Sequence, residues 1–520
     1  MASRPSATKT SIPGYLRREQ ERIEVIAREQ GLDFFPIVYE MLAYDQMNEI
    51  AAFGGFPQRY PHWRFGMEYE QLSKSYEYGA SKIYEMVINN NPSFAYLLEG
   101  NSLVDQKMVM CHVCGHVDFF KNNFVFRATD LDARGQVVQP TRQPGIYDPN
   151  RKWIDKMANH GSRISRHIGR HGVDKIEPFL DACLSLENLI DPYDPFKARA
   201  PIAADDDEDK TEDVPRLRAK DYMEKFINPD EYIDEQRKKL AEERERPKKF
   251  PEQPERDVLR FLLDHAPLER WERDCLEVIR EEAYYFVPQM QTKILNEGWA
   301  SFWHSRLMTR KVADGSEILD YAERNAGVMA TSGGRLNPYK LGVELLRDIE
   351  ERWNRGMFGK DWEECDDMRA RHHWDLRLGL GMKKVFEVRS LYNDVTFLDE
   401  FLTPEFAIRH KLFAFEWNGR NDRYEIATRE FKKVKEKLLF QLTNFGNPFM
   451  YVEDANWENR GELLLWHDHR GVDLRPDYAR EAIQSLVRMW KRPVVLRTIA
   501  DGKSTFLRYD GKDHSSKHDG

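Results

Sequence analysis

Two histidines four residues apart, His112 and His116, stand in the segment MVMCHVCGHVDFFKNN (108–123), which reads as helical. At that spacing both imidazoles share one helical face and can bind a single metal ion through neutral ring nitrogens. Further along, NEGWASFWH (296–304) places Glu297 and His304 seven residues apart, roughly two helical turns and again one face. Two His from one helix and a Glu from a later one form the gluzincin ligand set, so His112, His116 and Glu297 are the expected ligands of a divalent ion, zinc first, with one position left for water. The Gly-Trp-Ala after Glu297 would let helices pack closely around it. One part is missing. The usual zincin pattern has a Glu beside the first His as general base, and here that position is Val113. The base is expected at His304, with Asp118 and Glu85 as further candidates. Two His on an apolar helix, and a Glu/His pair among aromatics, equally describe core side chains satisfied by local hydrogen bonds.

The elements that must position these residues are mostly helical. From residue 17 to about 195, runs such as LRREQERIEVIAREQG and the stretch Met67 to Asn89 carry apolar residues at helical spacing, while YPHWRFG (60–66) reads as an ordered loop. Helical periodicity resumes at 268–308, with a kink or break expected at Pro288, and NPYKLGVELLRDIEERW (337–353) opens with a good helix start. From about residue 405 the pattern becomes strand, strand, helix, twice, plus a closing hairpin. The fold expected is a mainly α-helical N-terminal region, with zincin-like helices, and a smaller C-terminal α+β domain. The map is a disordered N-terminus at 1–15, a helical core at 16–403 with a charged connector at about 204–256, an α+β domain at 404–515 and a disordered tail at 516–520. His467 and His469 in WHDH, two apart in a strand, read as surface or structural residues.

With 520 residues the chain exceeds what one core usually organises. Charged residues make up 32%, mean hydropathy is −0.71, and 12 Trp, 22 Tyr and 29 Phe supply the bulky surface for a core. A net charge of −9 disfavours nucleic acid as a partner, and with it RNA binding through the basic aromatic YPHWRFG loop. No apolar run approaches the roughly 20 residues that span a bilayer, and the N-terminus lacks the apolar core of a signal peptide, so a cytoplasmic protein is expected. Five dispersed Cys fit reduced thiols. The C-x-x-C of Cys111 and Cys114 is followed by Gly115, which excludes c-type haem attachment, and no second C-x-x-C completes a zinc ribbon; a redox or thiolate-ligand role for the pair stays open.

Several long runs together resemble the SpoVR family, the stage V sporulation protein R group: YPHWRFGMEYEQL, YGASKIYEMVINNNPSFAYLL, HVCGHVDFFKNN, NEGWASFWH, NPYKLGVELLRDIEERW, RGELLLWHDHRGVDLRPDYARE and WKRPVVL, between about residues 15 and 515. The resemblance implies a bacterial protein linked to spore cortex formation, with a PrkA-type serine kinase and a von Willebrand A domain protein as partners. It brings no accepted activity. Two functions therefore stand: a metal-dependent hydrolase of an amide or peptide bond, and a non-catalytic metal-stabilised scaffold or regulator acting with those partners. Val113 favours the second; the open ligand set and the polar Asn122, Asn123, Asn296 and His304 favour the first.

Overall fold

The computed structural model describes residues 12–77, 85–132, 150–197, 249–330, 336–419 and 423–518, with positions 229, 232, 234, 235 and 238. The acidic run 204–213 and most of the expected connector lie outside the described residues.

The chain forms two compact units, one of Met1–Pro178 with Val278–Asn447, the other of Phe179–Glu277 with Pro448–Gly520. The division does not follow the expected boundary at 404. The β4–β5 hairpin, Ala414–Asn418 with Arg423–Thr428, and the helix Phe431–Leu442 fall in the first unit, and the segment Phe179–Glu277 falls in the second.

The first unit is built around one helix, Leu103–Asn122, which carries both histidines. Its residues from Val104 to Phe120 are all buried, the polar Asp105, Gln106, Lys107, His112, His116 and Asp118 among them. Ser102 caps it by accepting from the Asp105 backbone amide at 3.2 Å, and the Asp105 carboxylate accepts in return from the Ser102 amide at 3.3 Å. The second helix of the site, Lys293–Leu307, is also buried on most of its length. Asp394 holds its start, accepting from the amides of Ile294 and Leu295 at 2.8 Å each. The helix expected to kink or break at Pro288 runs without a break from Arg270 to Gln291, with Pro288 inside it, and the chain leaves the helix at Thr292, just before the site helix.

Glycines set how closely these helices approach. A Cβ on Gly115 would lie 2.8 Å from Ala300 Cα, and one on Gly298 would lie 2.5 Å from the backbone of Gly342 in the helix Pro338–Arg355. The space the sequence reading assigned to Gly298 is thus used for backbone-to-backbone packing beside Glu297.

The region read as helical also contains a small sheet. Strand β1 (Ile37–Leu42) runs parallel to β3 (Ser93–Leu98), and β2 (Glu85–Ile88) pairs antiparallel with β3. YPHWRFG is not wholly a loop, since a helix begins at Trp63.

The second unit holds a five-stranded sheet in the order β10-β9-β8-β7-β6, from β6 (Phe449–Trp457), β7 (Glu462–Asp468), β8 (Val494–Ala500), β9 (Lys503–Tyr509) and β10 (His514–His518). Only β7 and β8 are parallel, and the amphipathic helix Pro476–Trp490 makes the crossover between them. The expected tail overlaps β10, which pairs with β9.

Candidate metal centre

His112, His116 and Glu297 converge. One ligand atom from each lies within 4.8 Å of the others, and all three residues are buried. Glu297 Oε2 stands 3.5 Å from His112 Nε2 and 3.5 Å from His116 Nε2. Residues 112 and 116 face the same way because they are one turn apart on the histidine helix, and the Gly115–Ala300 contact brings the glutamate helix against that face.

Each of the three side chains is anchored by its other polar atom. His116 Nδ1 lies 2.9 Å from Asn296 Oδ1, His112 Nδ1 lies 2.9 Å from His304 Nδ1, and Lys293 Nζ donates to Glu297 Oε1 at 2.6 Å. These contacts set the tautomers. An amide oxygen only accepts, so His116 Nδ1 carries its proton and donates to Asn296. His304 Nε2 lies 3.0 Å from Asn325 Oδ1 and donates to it. Burial, with His112 beside it, pushes the His304 imidazole down to about 3, so it is neutral, and its Nδ1 accepts from His112 Nδ1–H. The remaining ring nitrogens, His112 Nε2 and His116 Nε2, both face one carboxylate oxygen. Burial opposes the charge on Glu297, but His116, hydrogen bonds from both imidazoles and the Lys293 ammonium hold its carboxyl well below the usual range. Two imidazole nitrogens and one carboxylate oxygen thus meet at one point, where protons on the imidazoles, or a metal ion replacing them, can sit between the three.

A family model described as SpoVR like protein matches residues 12–447. The chain belongs to the SpoVR family. A relative from Escherichia coli (strain K12), the "Uncharacterized protein YcgB", is 28% identical over 514 residues, covering 91% of this chain and 90% of that one. No solved structure matches. Both site helices of this SpoVR chain lie within the matched range, whose end coincides with the last residue of the first unit, Asn447.

The remaining expected site residues are placed differently. His304 is 1% exposed and stands behind His112, with one ring nitrogen on His112 and the other on Asn325. Both of its ring nitrogens are thus taken up by protein partners, His112 and Asn325. The helical offset correctly put His304 on the ligand face, but not the depth at which its ring would sit. Asp118 is engaged elsewhere in this SpoVR chain: it accepts from Trp299 Nε1 at 2.9 Å and from the Asp33 amide at 2.7 Å, and pairs with Arg389 at 3.1 Å. It cross-links the histidine helix to its neighbours. Glu85 opens β2, and its side chain lies outside the described residues. Val113 is 0% exposed and packs in the core.

Sequence reasoning missed Lys293, Asn325 and Tyr339, whose ring stacks on His112 with centroids 6.3 Å apart. Lys293 was detectable as an i,i+4 partner of Glu297. The other two depend on tertiary packing. In the second unit, His467 is buried against Thr498 Oγ1 at 2.8 Å and His469 bonds Asp473 at 2.5 Å, which are structural contacts. All five cysteines are free thiols, and Cys111 and Cys114 are buried, with burial pushing both thiols up. No helix among the described residues is long and apolar enough to cross a membrane.

Proposed function

We propose that the chain binds one divalent metal ion, zinc in the first instance, through His112 Nε2, His116 Nε2 and Glu297 Oε2, and acts as a hydrolase of an amide or peptide bond. The observation that carries the reading is that each of the three side chains is anchored through its other polar atom, so that one atom from each is directed to a shared point. Such outer partners are typical of metal-binding His and carboxylates. The two 3.5 Å separations suit the purpose, since ligands about 2.1 Å from a tetrahedral zinc lie about 3.4 Å apart. Three protein ligands leave a fourth position for water, and a bound ion there would bring that water's pKa toward neutrality and polarise a carbonyl.

The chain's own residues supply orientation. His304 and Asn296 fix the imidazoles, Lys293 fixes the carboxylate, and Tyr339 forms a wall beside His112. Family membership supports two further parts of the reading, a place in spore cortex formation or a related process in the cytoplasm, and regulation by a PrkA-type serine kinase together with a von Willebrand A domain protein; copurification from cells tests those partners.

A second reading, a metal-stabilised scaffold without turnover, is favoured by one observation: the position of the zincin base is Val113, sealed in the core.

Elemental analysis of the full chain, purified without chelator, tests the metal. About one divalent ion per chain is expected, falling sharply in His116→Ala. A wild-type protein that is metal-free, and stays so on titration with zinc, manganese and iron, overturns the ligand assignment; iron is included because two His and a carboxylate also suit non-haem iron. Amide hydrolysis that requires the metal separates the hydrolase from the scaffold.

A further inference from the structure

A carboxylate can bind a metal through one oxygen or through both, and the choice decides how many coordination positions remain for water or substrate. At Glu297 the two oxygens are treated differently. Oε2 faces the two imidazoles at 3.5 Å each, while Oε1 accepts from the Lys293 ammonium at 2.6 Å. Of the three anchoring partners, His304 and Asn296 are buried, but the Lys293 side chain is 60% exposed. An i,i+4 ion pair with one exposed partner contributes little to helix stability, so the consequence of this one lies in where it points the carboxylate. The ammonium also lies 6.0 Å from the centre of the Tyr339 ring, which stacks on His112, so Lys293, Tyr339 and His112 line one side of the centre.

We propose that Lys293 is a positioning residue that keeps Glu297 a one-oxygen ligand and so preserves an open coordination position at the centre. The proposal rests on the metal reading above. A metal ion drawing on Oε1 must compete with a charge-assisted hydrogen bond that is already short, from an ammonium that also lies over the Tyr339 ring. With the lysine neutralised, Oε1 is released on the same side of the chain as Oε2 and can turn onto the ion.

Cobalt(II) reports this directly, because its visible absorption weakens markedly as coordination rises from four to five. The full chain is stripped with chelator, reloaded with cobalt(II), and compared with Lys293→Met and Lys293→Arg, with folding followed by circular dichroism. Wild type is expected to give the strong four-coordinate band. Lys293→Met should hold about one cobalt per chain with a band several-fold weaker, and Lys293→Arg should restore the wild-type band. A Lys293→Met spectrum identical to wild type at full loading overturns the proposal. Loss of cobalt from folded Lys293→Met also overturns it, because the ammonium would then hold the carboxylate in place instead of limiting it. Failure of wild type to take up cobalt, zinc, manganese or iron overturns the metal reading itself.

Discussion

The first unit contains two buried clusters of histidine and glutamate, and they solve opposite problems. At His160 both ring nitrogens face carboxylates, Glu282 at 3.1 Å and Glu281 at 3.0 Å. The cations that balance those carboxylates are already present: Arg59 pairs with Glu282 at 2.5 Å and Lys156 with Glu281 at 3.1 Å. Every charge there has a protein partner, and the cluster is closed. At His112 and His116 one ring nitrogen each is turned outward to an anchor, and the other converges with its neighbour on a single carboxylate oxygen. The residue types are nearly the same. What separates an ion clamp from a candidate metal centre is which nitrogen of each imidazole is already used.

The largest expected effect comes from removing that convergence. His116→Ala or Glu297→Ala should take metal content from about one per chain to near zero, whereas His160→Ala should leave it unchanged; metal loss in His160→Ala at intact fold would end the distinction between the clusters. Next in size is the packing that brings the two site helices together. In Gly298→Ala the new Cβ meets the Gly342 backbone at 2.5 Å, and neither main chain can give way without moving its helix. A loss of about 3 kcal/mol is expected, the upper part of the range for overpacking, measured by chemical denaturation. A neutral Gly298→Ala would mean that the close helix approach is not what holds Glu297 in place.

Much of the open cluster was legible in the sequence because its ligands are tied to one another by helical period. His112 and His116 follow from i,i+4 spacing, and Glu297 from its place on a second helix beside a glycine that packs closely. What spacing could not give is distance along the direction a side chain points. His304 lies on the ligand face as the offset implied, yet reaches the back of His112, because that depends on how two helices dock. The closed cluster went unread altogether, since Arg59, His160 and Glu281 with Glu282 are far apart in sequence and meet only through the fold. The strand, strand, helix rhythm after residue 405 predicted β4 through β9, each a short β-rich run between turns. The strands β1 to β3 were absorbed into a helical reading, as β1 and β3 are short apolar runs without alternation, a pattern that periodicity does not distinguish from buried helix.

The anchors should have a smaller effect than the ligands. His304→Phe removes the acceptor for His112 Nδ1–H and leaves a buried donor, and metal affinity should fall by about 10–100-fold, the usual consequence of losing an outer partner. His304→Gln, which offers an amide oxygen, should recover part of the loss. Unchanged affinity in His304→Phe together with abolished turnover would return His304 to the role of general base and displace the positioning role derived from its two occupied nitrogens.

The smallest effect tests the closed cluster through pH. Burial disfavours the His160 imidazolium, but the hydrogen bonds and charges of Glu281 and Glu282 outweigh it and raise the folded pKa above the ordinary histidine value. A group whose pKa is raised on folding binds its proton more tightly in the native state, so its contribution is fully present below the unfolded value of about 6.5 and is lost as pH rises through the folded value. Glu281, whose pKa is lowered by His160 and Lys156 in spite of burial, contributes in the opposite sense and is fully ionised throughout that window. The stability advantage of wild type over His160→Gln should therefore shrink as pH rises from 6 toward 9, a change of about 1–2 °C in the difference between their melting midpoints. The comparison is made on metal-stripped protein so that metal loading does not enter. An advantage that grows with pH would mean that His160 is neutral between its carboxylates, whose charges would then be balanced by Arg59 and Lys156 alone.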